Sequence, residues 1–256
     1  MSTAQQVRND AGKKIHGVLV HAACLMSTHA HEVITDVRGE SPRFLETFHR
    51  NLALCTKAYR GWSEEVFNKK STGVHALLTA DAILESIAYL IANPVEALAV
   101  RYAKDWPGAH TLPAHVGTRV IRVQRPAHYF DPNNPNWPEV IERRLQMPVT
   151  LELDYGPELA RERIAERVRQ RRHQAWNKAK RTGIAFAGPR RVLRLPHTKR
   201  AKSYEAFGSL NPLSKPVGTS SEAQLRGTRC YVAWHSNGKG RLKLLCSPVC
   251  SQSADE

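Results

Sequence analysis

Two histidines separated by a single residue, His29 and His31, have the residue type and spacing of a metal-binding pair. They open the stretch HAHEVITD, which is predicted to be a β-strand after a break at residues 27–28. Successive side chains of a strand point to opposite faces, so both imidazoles are expected to face the same way. Neutral imidazole nitrogens bind divalent transition metals, and this spacing brings two of them to one point. The alternative is a pair of solvated or hydrogen-bonded histidines.

A tyrosine and an asparagine four residues apart, Tyr89 and Asn93, lie in a predicted amphipathic helix whose N-cap is Thr79. Apolar residues form one side of this helix, and Tyr89 and Asn93 share the other side. The two side chains are therefore expected to lie next to each other, away from the core. Asn93 also has a plainer interpretation, in which it caps a following helical segment that has Pro94 in its first turn.

Further predicted elements must position these residues. In chain order they are a buried strand at 17–26, a helix from Ser41-Pro42 to Gly61, short strands around 66–67 and 74–78, an irregular connector rich in Pro, Trp and His at 105–155, a helix at 156–183, and two strand-like pieces, CYVAWH and RLKLLC. No internal repeat is found. The pattern predicts an α+β fold in which strands carry the histidines and a helix carries the tyrosine.

The composition of the 256-residue chain excludes several classes of protein. No apolar run approaches the ~20 residues of a membrane span, and the N-terminal residues lack the core of a signal peptide. Five cysteines without paired C-x-x-C spacing indicate neither a disulfide framework nor a structural zinc site. A soluble cytoplasmic protein without a membrane partner is therefore expected.

The positive charge is concentrated in the C-terminal part of the chain. Residues 1–155 carry 17 Lys and Arg against 16 Asp and Glu, whereas residues 156–250 carry 21 against 5. Such a block favours a polyanionic partner, nucleic acid first, because neutralised phosphates release condensed counterions. The alternative is a solvated basic tail. The candidate nucleic-acid-binding residues are Arg163, Arg167, Arg171, Arg172, Lys178, Lys180, Arg181, Arg190 and Arg191.

Two motifs at a defined separation carry a family resemblance. The sequence M-S-T-H-A-H at residues 26–31 is similar to the family pattern M-P-N-H-x-H, and Y-L-I-A-N-P-V-E-A-L-A-V at residues 89–100 is similar to Y-I-x-x-N-P-V-x-A-x-x-V. W-P-G at residues 106–108 stands in place of the usual W-S-S. Over residues 16 to about 110 the chain resembles the single-tyrosine HUH transposases, closest to the REP-associated tyrosine transposases of bacteria.

The resemblance implies a ferredoxin-like antiparallel sheet with helices on one face, followed by the basic, mainly helical or irregular C-terminal region. It implies a transposase that nicks and rejoins single-stranded DNA, flanked by hairpins, through a 5′-phosphotyrosine. By motif position, His29 and His31 would bind Mg²⁺ or Mn²⁺, Tyr89 would be the nucleophile, and Asn93 would be a further ligand. The expected division is a catalytic domain at 1–106, a Pro-rich connector at 107–156 and a DNA-binding region at 157–256.

The chain also departs from the family pattern at its N-terminal end. The family opens with a strand of the Y-H-V-x-x-R type and a helix, and neither is visible before residue 17. The sheet is therefore expected to lack its first strand, either because the true start lies upstream or because the copy is degraded. Two other functions stay open, a catalytically inactive DNA-binding remnant and a metal-dependent nuclease that activates water. Oligomeric state is also open, with a homodimer among the assemblies that the family allows.

Overall fold

Strands and helices are interspersed along the chain, and the strands form two antiparallel sheets. The computed structural model describes residues 17–67, 72–127 and 129–196, and the backbone of 229–236. The strands are β1 (Val18–Leu25), β2 (His29–Asp36), β3 (Thr72–Leu77), β4 (Val120–Gln124), β5 (Val140–Arg144) and β6 (Arg229–Ser236). The helices are α1 (Ser41–Arg60), α2 (Ala80–Glu96), α3 (Val149–Tyr155), α4 (Pro157–Thr182) and α5 (Pro189–Arg194). The predicted α+β class is confirmed.

The larger sheet has four strands in the order β1-β2-β6-β3, and every neighbouring pair is antiparallel. β2 is therefore a central strand, in which His31 lies opposite Cys24 of β1 and Trp234 of β6. β3 lies at the edge and is joined to the sheet through β6. The predicted strand CYVAWH is thus confirmed, and it links the two parts of this sheet although it is distant in sequence. The predicted strand-like piece RLKLLC lies outside the described residues.

Turn residues end two of the helices at the predicted places. Gly61 follows α1 with a φ of 63°, and Gly183 follows α4 with a φ of 66°, both in the left-handed region. Glycine adopts this conformation without the steric cost that a Cβ imposes. The predicted helix from Ser41 to Gly61 and the predicted helix at 156–183 are therefore both present.

Helix α2 is the central layer of the structure. The hydroxyl of Thr79 accepts a hydrogen bond from the backbone N–H of Ala82 at 3.2 Å, which confirms the predicted N-cap. One side of α2 packs on β1, β2 and β3, and α4 packs on α2. Residues on most sides of α2 are therefore buried. No helix in the described ranges is long and apolar enough to cross a membrane.

Two sequence predictions about these elements are wrong, and the alternative interpretation of Asn93 as a helix cap is not what the structure shows. Pro94 does not open a second helical segment with Asn93 as its cap, because α2 continues through Pro94 to Glu96 and the N–H of Ala97 still bonds the Asn93 carbonyl at 2.9 Å. Residues 66–67 form a bend rather than a strand. The connector at 105–155 is not wholly irregular, since it contains the β4–β5 hairpin, helix α3 and a 3₁₀ turn at Pro113–His115.

A buried thiol lies next to the histidine strand without sharing its chemistry. Cys24 is fully buried and unpaired to any other cysteine, and it lies opposite His31 in the β1–β2 register. Burial, helped by the charge of Glu32, raises the pKa of Cys24 to about 12. The thiol of Cys24 is therefore protonated at neutral pH.

Candidate functional site

Strand β2 places His29 and His31 side by side on the face that α2 covers. Their ring centroids are 4.8 Å apart, with the planes at 72°. His31 is 2% exposed, and His29 is half-buried. The hydroxyl of Thr28 lies 2.9 Å from Nδ1 of His29, and if it donates there, Nε2 is the protonated nitrogen. The two imidazoles face the same way, as the alternation of strand side chains predicts.

Asn93 of α2 joins the two imidazoles. Its Oδ1 lies 3.1 Å from Nε2 of His29, and its Nδ2 lies 3.4 Å from Nε2 of His31. In this arrangement His29 donates to the amide oxygen and His31 accepts from the amide nitrogen. Asn93 is 7% exposed, so this contact is largely shielded from water. The structure therefore brings together the three residues that the sequence predicts as metal ligands.

Tyr89 lies one helical turn before Asn93 and contacts one of the two histidines, His31. Its ring centroid is 5.4 Å from that of His31, in an edge-to-face arrangement at 75°. Tyr89 is half-buried on α2. The predicted nucleophile and the predicted ligands thus form one cluster, which we call the His-Asn-Tyr site: His29, His31, Asn93 and Tyr89.

The donor set of this site fits a divalent cation. Among the described residues, no group of three or more His, Cys, Asp or Glu could hold a metal ion, so an ion here would depend on two imidazoles and the amide of Asn93. The 3.1 Å between Nε2 of His29 and Oδ1 of Asn93 is a hydrogen-bond distance, so an ion bound here would have to displace the proton that these two atoms share. Imidazole nitrogens suit Mn²⁺ better than Mg²⁺, which prefers oxygen ligands.

Two of the arginines predicted to bind nucleic acid, Arg167 and Arg171 of α4, form ion pairs with acidic residues of α2. Arg167 pairs with Asp81 at 2.5 Å and with Glu85 at 3.1 Å. Arg171 pairs with Glu96 at 2.7 Å and also with Glu85. Partial burial works against ionisation of Glu85, but hydrogen bonds and attraction from Arg171 and Arg167 hold the pKa of this carboxyl below its usual range. These ion pairs attach α4 to the helix that carries Tyr89.

The other predicted nucleic-acid-binding residues have no carboxylate within ion-pair distance in the described part of the chain. The guanidinium of Arg163 lies 4.6 Å over the ring of Tyr155, and that of Arg172 lies 5.0 Å over the ring of Trp176. The remaining residues are exposed on the second half of α4 and on α5: Lys178, Lys180, Arg181, Arg190 and Arg191. These cations are available to an external anion.

An open groove runs beside Trp176 at the C-terminal end of α4. Its lining includes Arg101, Trp176, Lys180 and Phe186. The indole N–H of Trp176 donates to the backbone carbonyl of Arg101 at 3.1 Å, and the guanidinium of Arg101 lies 5.1 Å from the indole ring. Stacking on an aromatic face fixes a guanidinium while its N–H groups stay available to phosphate oxygens. The groove therefore combines the guanidinium of Arg101, which lies over Trp176, with the exposed ammonium of Lys180 and with aromatic surface.

Sequence reasoning missed two residues that support the site. Thr28 contacts Nδ1 of His29, as described above, and Trp106 fixes the end of β1. The indole N–H of Trp106 donates to the carbonyl of Leu25 at 3.0 Å, and the next turn is closed by the bond from the N–H of Met26 to the carbonyl of His29 at 2.8 Å. The W-P-G motif is the sequence signal for Trp106. Nothing in the sequence singles out the hydroxyl of Thr28.

The geometry defines a site with two imidazoles, an amide and a phenol, and one arginine of α4, Arg171, lies over the phenol ring. No protein-family model matches the chain, and comparison with curated proteins and with solved structures finds no significant match. The function is therefore inferred from the residues of the site themselves.

Proposed function

We propose that the chain is a transposase of the single-tyrosine HUH type, which cuts and rejoins single-stranded DNA through Tyr89. The observation that carries the proposal is the position of Asn93, which contacts both His29 and His31 and lies one turn after Tyr89. A buried imidazole such as His31 needs a hydrogen-bond partner in any role, so the distinguishing feature is that one amide joins both histidines. A purely structural role would not also require the ring centroid of Tyr89 to lie 5.4 Å from that of His31.

The proposed reaction is an in-line attack on a phosphodiester. The phenol of Tyr89 gives up its proton to solvent as its oxygen forms a bond to phosphorus, the bond from phosphorus to the 3′ oxygen breaks, and that oxygen takes a proton from solvent to give a free 3′-hydroxyl. The DNA is left joined to the protein as a 5′-phosphotyrosine, which keeps the phosphodiester energy for rejoining. No nucleotide cofactor is needed. A bound Mg²⁺ or Mn²⁺ would polarise the phosphate, and His29, His31 and Asn93 would hold it.

The strand order supports a ferredoxin-like sheet for this proposal. In a βαββαβ fold the opening strand lies between the third and fourth strands, antiparallel to both. If β1, β2 and β3 correspond to the second, third and fourth strands, that position belongs to β6, which pairs antiparallel with β2 and with β3. We infer that the C-terminal strand replaces the opening strand that the resemblance leads one to expect. The sheet would then be complete around the histidines.

The exposed cations of α4 and α5 support single-stranded DNA as the partner. Their charge attracts phosphates, and the groove beside Trp176 adds an aromatic wall. A single strand suits the reaction because its backbone can bend into a half-buried site. Flanking hairpins would then hold the strand on either side of the cleaved bond.

The test is a denaturing gel of the full chain with labelled single-stranded DNA from the ends of its own locus, with Mn²⁺. The wild type is expected to give a band of protein covalently joined to DNA, and Tyr89→Phe is expected to give none. Tyr59→Phe is a matched control, since Tyr59 is an exposed tyrosine of α1. A covalent band from Tyr89→Phe would refute the nucleophile. Salt-sensitive binding without any covalent band in the wild type would instead indicate a DNA-binding remnant.

A further inference from the structure

Arg171 contacts the predicted nucleophile directly. Its guanidinium carbon lies 5.3 Å from the centroid of the Tyr89 ring. The same guanidinium binds Glu85, one turn before Tyr89, and Glu96, two turns after it. Arg171 belongs to α4, outside the residues that carry the family resemblance, so the resemblance assigns it no role.

The two carboxylates fix the guanidinium over the tyrosine. A guanidinium presents its N–H donors in a rigid plane, and carboxylates on two sides leave it little freedom to rotate. The side chain of Arg171 is 22% exposed and those of Glu85 and Glu96 are 39% and 31% exposed, so these ion pairs are partly shielded from water. The cation then attracts the face of the Tyr89 ring. The ring is thus held by Arg171 and by the edge-to-face contact with His31.

We propose that Arg171 is a positioning residue for Tyr89, which holds the phenol in the orientation that faces the histidine pair. This proposal rests on the proposed function, because the orientation of the phenol affects a reaction only if Tyr89 is the nucleophile. It also reassigns Arg171, which the sequence places among the DNA-binding residues. A phosphate at Arg171 would have to displace Glu85 and Glu96 and would be repelled by both, so the local charge disfavours DNA there.

A kinetic experiment separates positioning from DNA binding. Single-turnover rates of covalent capture at saturating oligonucleotide, and the Kd for the same oligonucleotide, are measured for wild type, Arg171→Gln and Arg171→Lys. Arg171→Gln is expected to lower the saturated rate at least about tenfold while Kd changes less than about twofold, because misplacement of a reacting group costs rate. Arg171→Lys should recover part of the rate. A raised Kd with an unchanged saturated rate would overturn the proposal.

Arg169→Gln is the matched control, since Arg169 lies on the same helix and pairs with Glu166 of its own helix. It removes the same charge and is expected to leave the saturated rate unchanged. Glu96→Gln removes one anchor but keeps Arg171, so it tests the same idea if Arg171→Gln does not fold. An intermediate loss of rate is expected from Glu96→Gln. An unchanged rate in this variant would count against the anchoring.

A measurement without DNA keeps this proposal separate from the proposed function. In protein with ¹³C-labelled tyrosine, the ring signal of Tyr89 is identified by its loss in Tyr89→Phe. Arg171→Gln is expected to shift this signal and to speed the flipping of the ring, whereas Arg169→Gln should leave it unchanged. If the wild type forms no covalent product, the proposed function fails, and the ring signal still decides what Arg171 does. An identical signal in Arg171→Gln would show that it does not hold the ring.

Discussion

A fully buried histidine, His21, makes a pH-dependent contribution to stability that can be worked out from the structure. Its Nδ1 lies 2.8 Å from the carbonyl of Gln146, and its Nε2 lies 2.7 Å from the hydroxyl of Thr35. Nδ1 therefore donates and Nε2 accepts, so the ring is neutral and joins β1, β2 and the segment before α3. Burial, opposed in part by the bond to Gln146, lowers the pKa of His21 from 6.5 to about 4.

The sign of the effect follows from proton uptake by the unfolded chain. Between pH 6.5 and about 4 the unfolded state binds a proton at His21 that the folded state does not. The stabilisation is therefore fully present above pH 6.5 and is lost as the pH falls toward 4. One pKa unit corresponds to about 1.4 kcal/mol, which gives a loss of about 2 kcal/mol between pH 7.5 and 5 and about 3 kcal/mol in total.

The assay is urea unfolding of wild type and His21→Gln at pH 7.5, 6.5, 5.5 and 5, with the free energy of unfolding extrapolated to zero urea. Glutamine can donate to Gln146 and accept from Thr35 but does not titrate. We expect the difference in stability between the two proteins to shrink by about 2 kcal/mol between pH 7.5 and 5. Carboxyl groups titrate alike in both proteins and cancel. Parallel curves for the two proteins would refute the reasoning.

Three further predictions concern the site, the C-terminal strand and the cationic surface. Asn93→Leu should weaken Mn²⁺ binding at least about tenfold, measured by electron paramagnetic resonance of the free ion, and an unchanged affinity would remove Asn93 from the ligand set. Removal of residues 197–256 takes away β6, so thermal unfolding followed by circular dichroism should lose cooperativity, whereas an unchanged Tm would mean that β6 does not support the sheet. The double variant Arg172→Gln, Lys180→Gln should reduce the slope of log K against log salt for single-stranded DNA by about 1.4, and a slope no different from that of Arg169→Gln would contradict the assignment.

Local sequence patterns predicted much of the site. The alternation of strand side chains places His29 and His31 on one face, and the spacing of four residues places Tyr89 and Asn93 on adjacent turns. Thr79 marks the start of α2 because its hydroxyl can cap the first turn. These predictions depend on neighbours within about ten residues. These local patterns do not predict the packing of α2 across β2, which brings Asn93 to both imidazoles.

Interactions between distant segments explain what the sequence did not predict. Arg167 and Arg171 look like their exposed neighbours on α4, and only the packing of α4 on α2 reveals that acidic residues neutralise them. The position of β6 depends on pairing with strands that lie far away in the sequence, which no local pattern specifies. Pro94 removes one helical hydrogen bond, but it is buried in α2, and that packing keeps the helix continuous.

The most direct test of the account is to identify the residue that carries the DNA. After reaction with single-stranded DNA and Mn²⁺, nuclease digestion leaves a short nucleotide on the protein, and trypsin releases the peptide 71–101, in which Tyr89 is the only tyrosine. Mass spectrometry is expected to find this peptide with a nucleotide attached through Tyr89. A nucleotide attached to another residue, or DNA that is cut with no nucleotide on the protein, would contradict this expectation.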